Sequence, residues 1–319
     1  MKDLISRFSQ FEVLVLGDLI LDRYWWGDAH RLSPEAPVPV LLKQKETVRP
    51  GGAANTAANV VGLGARVLLI GIVGEDHEAD ELESALAHEH IDADLIRTNR
   101  PTTTKTRLIA GHQHIVRVDA EMAEPISDEL TDDVIKKVRA HIGHANAILF
   151  SDYGKGLATP KLLSAVVAEA KLAGIKVFID PKARDAERYR GAALLKPNRL
   201  ELGLLTGSSV RNHQETLQAG NQLRAQLSGT DLLVTEGADG MTLFAADGSS
   251  LHAESQARQV FDITGAGDTV LAAYALATIA GAAPEDAMRL ASAAASIAIA
   301  SVGAAIVRPQ QLAALFHTS

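Results

Sequence analysis

Cysteine is absent from this chain of 319 residues. Its absence excludes disulfide bonds, thiol catalysis and metal sites built on cysteine, and it suits a reducing compartment. The first residues, 1–7, also lack the apolar run of a signal peptide. We therefore expect the protein to remain in the cytoplasm.

Positive charge is scarce as well. The chain carries 31 lysines and arginines against 39 aspartates and glutamates, which gives a formal net charge of −8. A surface that follows the phosphates of nucleic acid would be basic, so we expect no nucleic-acid partner.

The uncharged stretch 290–307 is rich in alanine and serine rather than leucine and phenylalanine. It therefore predicts a buried helix and no membrane span.

The chain also lacks the Walker sequence Gly-x-x-x-x-Gly-Lys-Ser/Thr, which excludes a P-loop site for ATP. It has two other glycine turns. The later one reads Asp-Ile-Thr-Gly-Ala-Gly-Asp-Thr from Asp262 to Thr269 and leads into an alanine-rich, helix-like stretch. The backbone N–H groups of Gly265, Ala266 and Gly267 can converge there without Cβ crowding, and a helix start adds the positive end of its dipole. Such a turn is suited to binding an anion.

Asp268 closes this later turn. A carboxylate would be repelled by a bound phosphate, so its presence beside an anion site favours a base that faces a phosphoryl acceptor. The pattern therefore indicates a phosphotransferase. The alternative is an ordinary loop-to-helix junction in which Asp268 is only a first-turn charge.

The earlier turn contains Gly51 and Gly52 and is followed by a helix of small residues. Asn55 lies one turn into this helix, and Asn59 follows four residues later on the same face. The glycines would let a ligand approach the backbone, and an asparagine offers both a donor and an acceptor to sugar hydroxyls. We therefore expect a sugar beside Gly51, Gly52 and Asn55.

Apolar runs alternate with helical patterns along the chain, and this alternation predicts an α/β fold with a doubly wound, mostly parallel sheet. Asp18 and Asp152 follow two of the runs, at the carboxyl ends of parallel strands where such folds bind ligands. We expect one domain over residues 1–319. The apolar runs are 12–17, 67–72, 147–150, 176–179 and 232–234, and the helical patterns are 80–90, 127–142, 160–173 and 216–227.

Two extended segments, about 38–48 and 102–119, break this alternation. The second has the pattern of a hairpin that turns through residues 110–113. Neither segment fits easily into a parallel core. We expect them to form a separate small β structure.

Together, the two glycine turns resemble those of the ribokinase-like (PfkB) carbohydrate kinase family. Its members carry a Gly-Gly turn followed by an asparagine early and Asp-Thr-x-Gly-Ala-Gly-Asp late, and the order of the two motifs agrees over nearly the whole chain. Ile263 replaces the usual threonine, and we expect it to pack. The resemblance implies an ATP-dependent kinase in which Asp268 takes the proton of a sugar hydroxyl. It also implies that the N–H groups of residues 265–267 stabilise the migrating phosphoryl group.

The resemblance implies two further elements around ATP and Mg²⁺. Asn198 and Glu201 match a family pair that organises Mg²⁺, usually through water, and they share a face if a helix starts at Pro197. An ordinary capped helix start is the alternative. The family's nucleotide loop is matched by Thr235, Gly237 and Gly240, and the adenine could lie against Ala295, Ala298 and Ile299, for which plain helix packing is the alternative.

Three segments, 17–27, 31–40 and 151–156, are more specific. They are similar to the family members that act on heptose 7-phosphate in ADP-heptose synthesis for lipopolysaccharide. The resemblance implies phosphorylation of the anomeric hydroxyl. Some of those proteins carry a fused adenylyltransferase, and we expect this chain to be the stand-alone kinase instead. Another sugar kinase of the same fold remains an alternative. A sensor that binds without turnover is a further one, although the intact Asp268 argues against it.

Two sets of residues suit such a substrate. Asp18, Asn55 and Asp152 can bind sugar hydroxyls. The phosphate already on the sugar requires cations at the far end from Asp268, and the candidates are Lys105, Arg107, Arg117 and Lys155. For the first three, a surface charge on the extended segments is the alternative.

The extended segments correspond in the family to a β lid over the sugar, and such lids often pair between subunits. The resemblance therefore implies a homodimer. Histidine pairs at His88 and His90 and at His112 and His114 lack the spacing of a metal site. We expect them to be solvated surface residues.

Overall fold

The computed structural model describes residues 1–111, 113–256, 263–300 and 306–316. Asp262 of the later glycine turn and His112 of the predicted hairpin lie outside the described residues. The strands are β1 (Glu12–Gly17), β2 (Leu19–Leu32), β3 (Pro39–Gly52), β4 (Arg66–Gly74), β5 (Asp92–Thr98), β6 (Thr104–Ala110), β7 (Gln113–Ala120), β8 (Ala147–Ser151), β9 (Lys176–Asp180), β10 (Leu194–Leu195), β11 (Asp231–Thr235), β12 (Met241–Phe244) and β13 (Ser250–Ala253). The helices are α1 (Lys2–Ser6), α2 (Ala53–Gly62), α3 (His77–His88), α4 (Asp128–His141), α5 (Pro160–Ala173), α6 (Arg199–Thr206), α7 (His213–Gln226), α8 (Ala266–Ile279), α9 (Pro284–Ala298) and α10 (Pro309–Ala314).

A nine-stranded sheet forms the centre of the fold, in the order β13-β12-β11-β10-β9-β8-β1-β4-β5. The strands from β11 to β5 in this order are parallel, and β12 and β13 are antiparallel to their neighbours at one edge. The prediction of a doubly wound, mostly parallel sheet is confirmed. Because the chain leaves β1 toward β4 on one side and β8 lies on its other side, the strand order reverses at β1, where such sheets have a ligand crevice.

Helices cover both faces of this sheet, and β1 illustrates how the sequence requires this. Its residues from Val13 to Leu16 are apolar without interruption. Val13 and Val15 belong to the core cluster that includes residues of α2, α8 and α9, and Leu14 and Leu16 belong to the cluster that includes residues of α4, α5 and α7. Parallel strands that are buried on both faces have this composition. The fold is therefore three-layered around the strand that leads to Asp18.

Helix caps explain why two helices begin earlier in the chain than the sequence predicted. Helix α5 has the predicted bounds, with the Thr159 hydroxyl accepting a hydrogen bond from the Leu162 N–H. Helices α3 and α7 begin three residues before the predicted starts, because the side chains of Asp76 and Asn212 cap them. Helix α6 begins at Arg199 with Asn198 as its N-cap, two residues after Pro197, the start that was considered as a condition for Asn198 and Glu201 to share a face.

A second sheet of four strands has the order β3-β2-β6-β7. It contains both segments that were predicted as extended, together with β2, which the sequence analysis did not identify. Strand β3 ends in Gly52, and α2 follows at once, so this sheet connects directly to the crevice. In β7 every residue is exposed.

The uncharged stretch 290–307 contributes to α9, and most of its side chains up to Ala298 are buried or partly buried. Its residues 301–305 lie outside the described part of the chain. Among the helices that the structure describes, none is long and apolar enough to cross a membrane.

Candidate functional site

The two glycine turns meet at the carboxyl end of β1. Gly265 has a φ of 78° and precedes α8, which begins at Ala266 and brings Asp268 into its first turn. Gly52 has a φ of 60°, and a Cβ there would lie 2.3 Å from the carbonyl oxygen of Asp18. Both glycines are therefore required by backbone geometry. Gly51 precedes Gly52 at the end of β3 and is buried.

Asp268 is 3% exposed and accepts hydrogen bonds from three side chains. Its Oδ2 atom accepts from Asn55 Nδ2 at 2.5 Å, its Oδ1 atom accepts from Thr56 Oγ1 at 3.0 Å, and the Tyr153 hydroxyl lies 2.8 Å from Oδ1. Burial raises the pKa of Asp268, whereas these donors and the charge of Lys196 act in the opposite direction. The site thus contains a buried carboxylate surrounded by donors, which suits a general base.

A second row of hydrogen bonds fixes α2 against α8. The Thr269 hydroxyl donates to Asn59 Oδ1 at 2.8 Å, and Asn59 Nδ2 donates to the carbonyl oxygen of Asn55 at 2.9 Å. The hydroxyls of Thr56 and Ser151 are 2.8 Å apart. Asn55 and Asn59 therefore both face α8, as their spacing predicted.

Lys196 lies beside the later glycine turn. A Cβ on Gly267 would be 3.2 Å from its Nζ atom. Nζ also forms an ion pair of 3.0 Å with Asp180, at the end of β9. Burial alone would lower the pKa of Lys196, but the charges of Asp180 and Glu201 raise it, so the side chain is a cation. Sequence reasoning missed this residue, although its position directly before Pro197 and Asn198 was a usable signal.

Asp18 and Asp152 lie where the strands β1 and β8 predicted, and both are buried. Asp18 accepts the backbone N–H groups of Tyr153, Lys155 and Leu157 at 2.9, 3.0 and 3.1 Å. Asp152 accepts the Gly154 N–H and the Tyr189 hydroxyl, at 2.8 and 2.6 Å. Both carboxylates thus hold the segment 152–157 in place, and their contact with a sugar stays a prediction.

Of the four cation candidates, three form ion pairs. Arg107 pairs with Asp22 and stacks 5.1 Å from the ring centre of Tyr24. The other two pairs are Arg117 with Asp119 at 2.8 Å and Lys155 with Glu121 at 2.7 Å. Lys105 is half-buried, and burial together with the neighbouring charge of Lys155 lowers its pKa.

Asn198 and Glu201 form a reciprocal capping box at the start of α6. Asn198 Oδ1 accepts the Glu201 N–H at 2.9 Å, and Glu201 Oε2 accepts the Asn198 N–H at 2.9 Å. Glu201 Oε1 is 3.1 Å from Lys182 Nζ. The structural alternative, a capped helix start, is therefore present, and it leaves oxygen lone pairs of both side chains available to a cation.

The predicted nucleotide loop follows β11 and is tied to α6. Thr235 pairs with Asn198 as an isolated parallel bridge. Gly237 and Gly240 have φ of 64° and 95°, and a Cβ on Gly240 would lie 2.0 Å from the Ala253 carbonyl oxygen. Ala295 is partly buried on α9.

Ile263, in the later glycine turn, is 74% exposed, so the expectation that it packs was wrong.

Sequence reasoning also missed a group around the buried Glu236. His213 Nδ1 lies 3.0 Å and Arg199 Nη2 lies 2.8 Å from Glu236 Oε2, and His252 Nδ1 lies 3.6 Å from Oε1. Burial opposes ionisation, but hydrogen bonds from Thr242, His213 and Arg199 hold the pKa of Glu236 below its usual value. The group comes from separate elements, so no local motif could have revealed it.

Comparison with known proteins agrees with this geometry. The model of the pfkB family carbohydrate kinases matches residues 10–311. The chain is 43% identical to the bifunctional protein HldE of Azorhizobium caulinodans, over 96% of this chain and 65% of the relative. For the bifunctional protein HldE of Geobacter metallireducens the identity is 42%, over 98% of this chain and 64% of the relative. The chain therefore spans about 65% of the length of the curated relatives it matches.

Solved structures share the fold. Ribokinase of Arabidopsis thaliana, solved with ribose and ATP, has a TM-score of 0.74 at 24% identity and covers 97% of this chain and 99% of its own. Phosphofructokinase-2 of Escherichia coli, solved with potassium, has a TM-score of 0.80 at 18% identity and covers 96% of this chain and 98% of its own. The family match extends over nearly the whole chain, and the chain therefore belongs to the pfkB family of carbohydrate kinases and is an ATP-dependent enzyme of that class.

Proposed function

We propose that the chain transfers the γ-phosphoryl group of ATP to the anomeric C1 hydroxyl of D-glycero-β-D-manno-heptose 7-phosphate. The products are ADP and the 1,7-bisphosphate, an intermediate of ADP-heptose synthesis for the lipopolysaccharide inner core. The observation that carries the proposal is the 2.5 Å contact between Asn55 and Asp268, because it joins the sugar-side turn to the phosphoryl-side turn in one buried site.

Asp268 acts as the general base in this reaction. It takes the proton of the C1 hydroxyl while the hydroxyl oxygen forms a bond to the γ-phosphorus and the bond from that phosphorus to the ADP oxygen breaks. The N–H groups of Gly265, Ala266 and Gly267 stabilise the charge on the migrating group. Lys196 is a buried cation next to Gly267 and adds to this stabilisation.

The sugar is bound between the early glycine turn and the segment 152–157. Gly51 and Gly52 let it approach the backbone, and Asn55, Asp18 and Asp152 accept or donate to its hydroxyls. Lys105 and Lys155 are the strongest candidates for the 7-phosphate. Burial and the neighbouring charge of Lys155 lower the pKa of Lys105, and a phosphate dianion beside both cations would relieve their repulsion. Arg107 completes this cationic region.

Asn198 and Glu201 fit Mg²⁺, because carboxylate and amide oxygens are the donors it prefers and it retains several waters. One oxygen of each side chain already accepts a backbone N–H in the capping box, so we propose that both hold the ion through water. When bound, Mg²⁺ neutralises charge on the nucleotide phosphates. Thr235, Gly237, Gly240 and Ala295 would line the nucleotide.

The four-stranded sheet, in this proposal, is a lid over the sugar and the interface of a homodimer. The register places Trp25, Leu108 and Val116 side by side on one face, and Val116 and Val118 are 48% and 53% exposed. An apolar, exposed face of this kind, next to the edge strand β7, is a surface that soluble proteins usually cover. A second copy of the chain would cover it, in the cytoplasm where the sugar phosphate and ATP are available.

The test is ADP release measured with a panel of heptose 7-phosphate, fructose 6-phosphate, ribose and no sugar. We expect preferred turnover of heptose 7-phosphate, and we expect Asp268→Asn to lower kcat by about 10²–10⁴-fold. The variant should retain the circular dichroism spectrum of the wild type. Asp133→Asn, which changes an exposed carboxylate on α4, is the matched control and should retain full activity.

The other outcomes each correct the proposal. Preference for another sugar would contradict the substrate assignment and keep the kinase. Binding of sugar and ATP without ADP release would identify a sensor. Full activity of Asp268→Asn would remove the base from the mechanism.

A further inference from the structure

Tyr153 has a position that the reaction leaves unexplained. Its hydroxyl lies 2.8 Å from Oδ1 and 3.0 Å from Oδ2 of Asp268, so it bridges both oxygens of the proposed base. With Asn55 and Thr56, it surrounds a carboxylate that is only 3% exposed. An acceptor hydroxyl must come within about 3 Å of this carboxylate to lose its proton. One of the three donors must therefore give way.

The three donors differ in how firmly they are fixed. Asn55 and Thr56 are 6% and 0% exposed in α2, and Thr56 is also bonded to Ser151. Tyr153 is partly exposed and lies in the segment between β8 and α5, next to Gly154, which has a φ of 68°. Of the three donors, Tyr153 is thus the one whose side chain is least enclosed by the fold.

The chemistry of the contact matches that of the substrate. A phenol hydroxyl is a neutral O–H donor, as a sugar hydroxyl is. Burial and the charge of Asp268 raise the pKa of Tyr153 well above its usual value, so the phenol keeps its proton and donates it to the carboxylate. The hydroxyl of Tyr153 therefore makes the same hydrogen bond that an acceptor sugar would make.

We propose that the Tyr153 hydroxyl holds on Asp268 the place of the acceptor hydroxyl, and that the sugar displaces it when it binds. The proposal rests on the proposed function, since it takes Asp268 as the base. Asp18 fixes the backbone of Tyr153 by accepting its N–H at 2.9 Å, so rotation of the side chain is sufficient. In the absence of sugar, Tyr153 also keeps water from the base and protects ATP from hydrolysis.

Tyr153→Phe tests the displacement, because it keeps the ring and removes the hydroxyl. The free enzyme loses one donor to Asp268, which raises the pKa of that carboxyl. The pH profile of kcat/KM reports the free enzyme, and that of kcat reports the substrate complex. We expect the acid limb of kcat/KM to move to higher pH and the acid limb of kcat to stay in place, because the tyrosine has already left in the complex. The other charged groups that face Asp268, Lys196 and Asp180, are unchanged by the substitution.

Two further readouts accompany the pH profiles. The sugar no longer competes with a hydrogen bond to a charged acceptor, so KM for heptose 7-phosphate should fall by about tenfold. ADP release without sugar should rise, since water can now reach the base. Tyr274→Phe is the control, because it removes the hydroxyl of a buried tyrosine on α8, the helix that carries Asp268. It should change none of these quantities.

Several results would overturn the inference. Equal movement of both acid limbs with a lower kcat would mean that Tyr153 stays on Asp268 in the complex and positions the base. An unchanged KM and unchanged profiles, in an active wild-type enzyme, would mean that the hydroxyl is not displaced and would leave the proposed function intact. Full activity of Asp268→Asn would instead overturn the proposed function, and the inference with it.

Discussion

The carboxyl edge of the nine-stranded sheet and the four-stranded sheet differ in how far their charged side chains are buried. At the edge, Asp18, Asp152 and Asp268 are buried, and each has partners fixed by the fold. The four-stranded sheet also contains a largely buried pair, Arg107 with Asp22, but other pairs there, such as Lys43 with Glu46, are partly exposed, with side-chain exposures of 44% and 31%. The charges of the first region are therefore held by the fold itself, whereas strand β7 of the second region is exposed along its whole length.

This difference has a physical consequence for mutations. A buried charge depends on its partner, because losing the partner leaves a desolvated ion without compensation. An exposed ion pair exchanges one partner for water at little cost. Changes at the carboxyl edge should therefore act on stability and turnover, and changes on the exposed strand β7 of the four-stranded sheet should act on assembly.

Lys196→Met should have the largest effect. Lys196 is 2% exposed and pairs with Asp180, whose side chain is 14% exposed. We expect the free energy of unfolding to fall by about 3 kcal/mol, as for other broken buried pairs, and turnover to fall with it. Urea unfolding and ADP release measure the two effects.

The pH dependence of this variant has a definite sign. Burial raises the folded-state pKa of Asp180 above its ordinary value of 3.8, and without Lys196 nothing at that position opposes the rise. The folded state then binds a proton that the unfolded state has lost, so stability falls as the pH rises from about 4 through the folded-state pKa. The deficit should be smaller at pH 5 than at pH 8. The control is Lys43→Met, which should cost less than about 1 kcal/mol at either pH.

Gly267→Ala should have an intermediate effect, on turnover alone. The new Cβ would lie 3.2 Å from Lys196 Nζ, the movable end of a flexible side chain, so the helix can accept it. The shift displaces the cation from the anion-binding turn, and we expect kcat to fall by about tenfold with no loss of unfolding free energy. Gly143→Ala is the control, because nothing lies within 4 Å of its added Cβ. Equal kcat for Gly267→Ala and the wild type would contradict the role of this turn.

The sequence predicted what is local in the site. The apolar run that ends at Asp18, the capped start of α5 at Thr159 and the spacing of Asn55 and Asn59 depend on neighbouring residues, and each is found where expected. The helix starts at Asp76 and Asn212 were missed, because a polar cap precedes the apolar period by which a helix is identified.

Contacts between distant segments could not be predicted in this way. Tyr153 and Asp268 are 115 residues apart, and Asp18 and Tyr153 are 135 apart. A motif gives the chemistry of each side chain, but sheet order decides which motifs meet. Strand β2 was missed for a related reason. Residues 19–21 form a short buried apolar run, and from Asp22 onward charged, aromatic and small residues follow without a regular alternation. No single apolar period therefore runs through the strand.

Val118→Asp should have the smallest effect on the fold and a clear effect on assembly. Val118 is 53% exposed on β7, so the folding free energy should change by less than about 0.5 kcal/mol. A new charge in a covered apolar interface would have to be desolvated, so we expect a monomer by light scattering where the wild type is a dimer. Leu172→Asp, which changes a leucine that is 84% exposed on α5, is the control and should remain dimeric. A dimeric Val118→Asp variant would place the interface elsewhere, and a monomeric wild type would contradict the proposed homodimer. Light scattering of the two proteins therefore decides whether a second copy of the chain covers the exposed face of the four-stranded sheet.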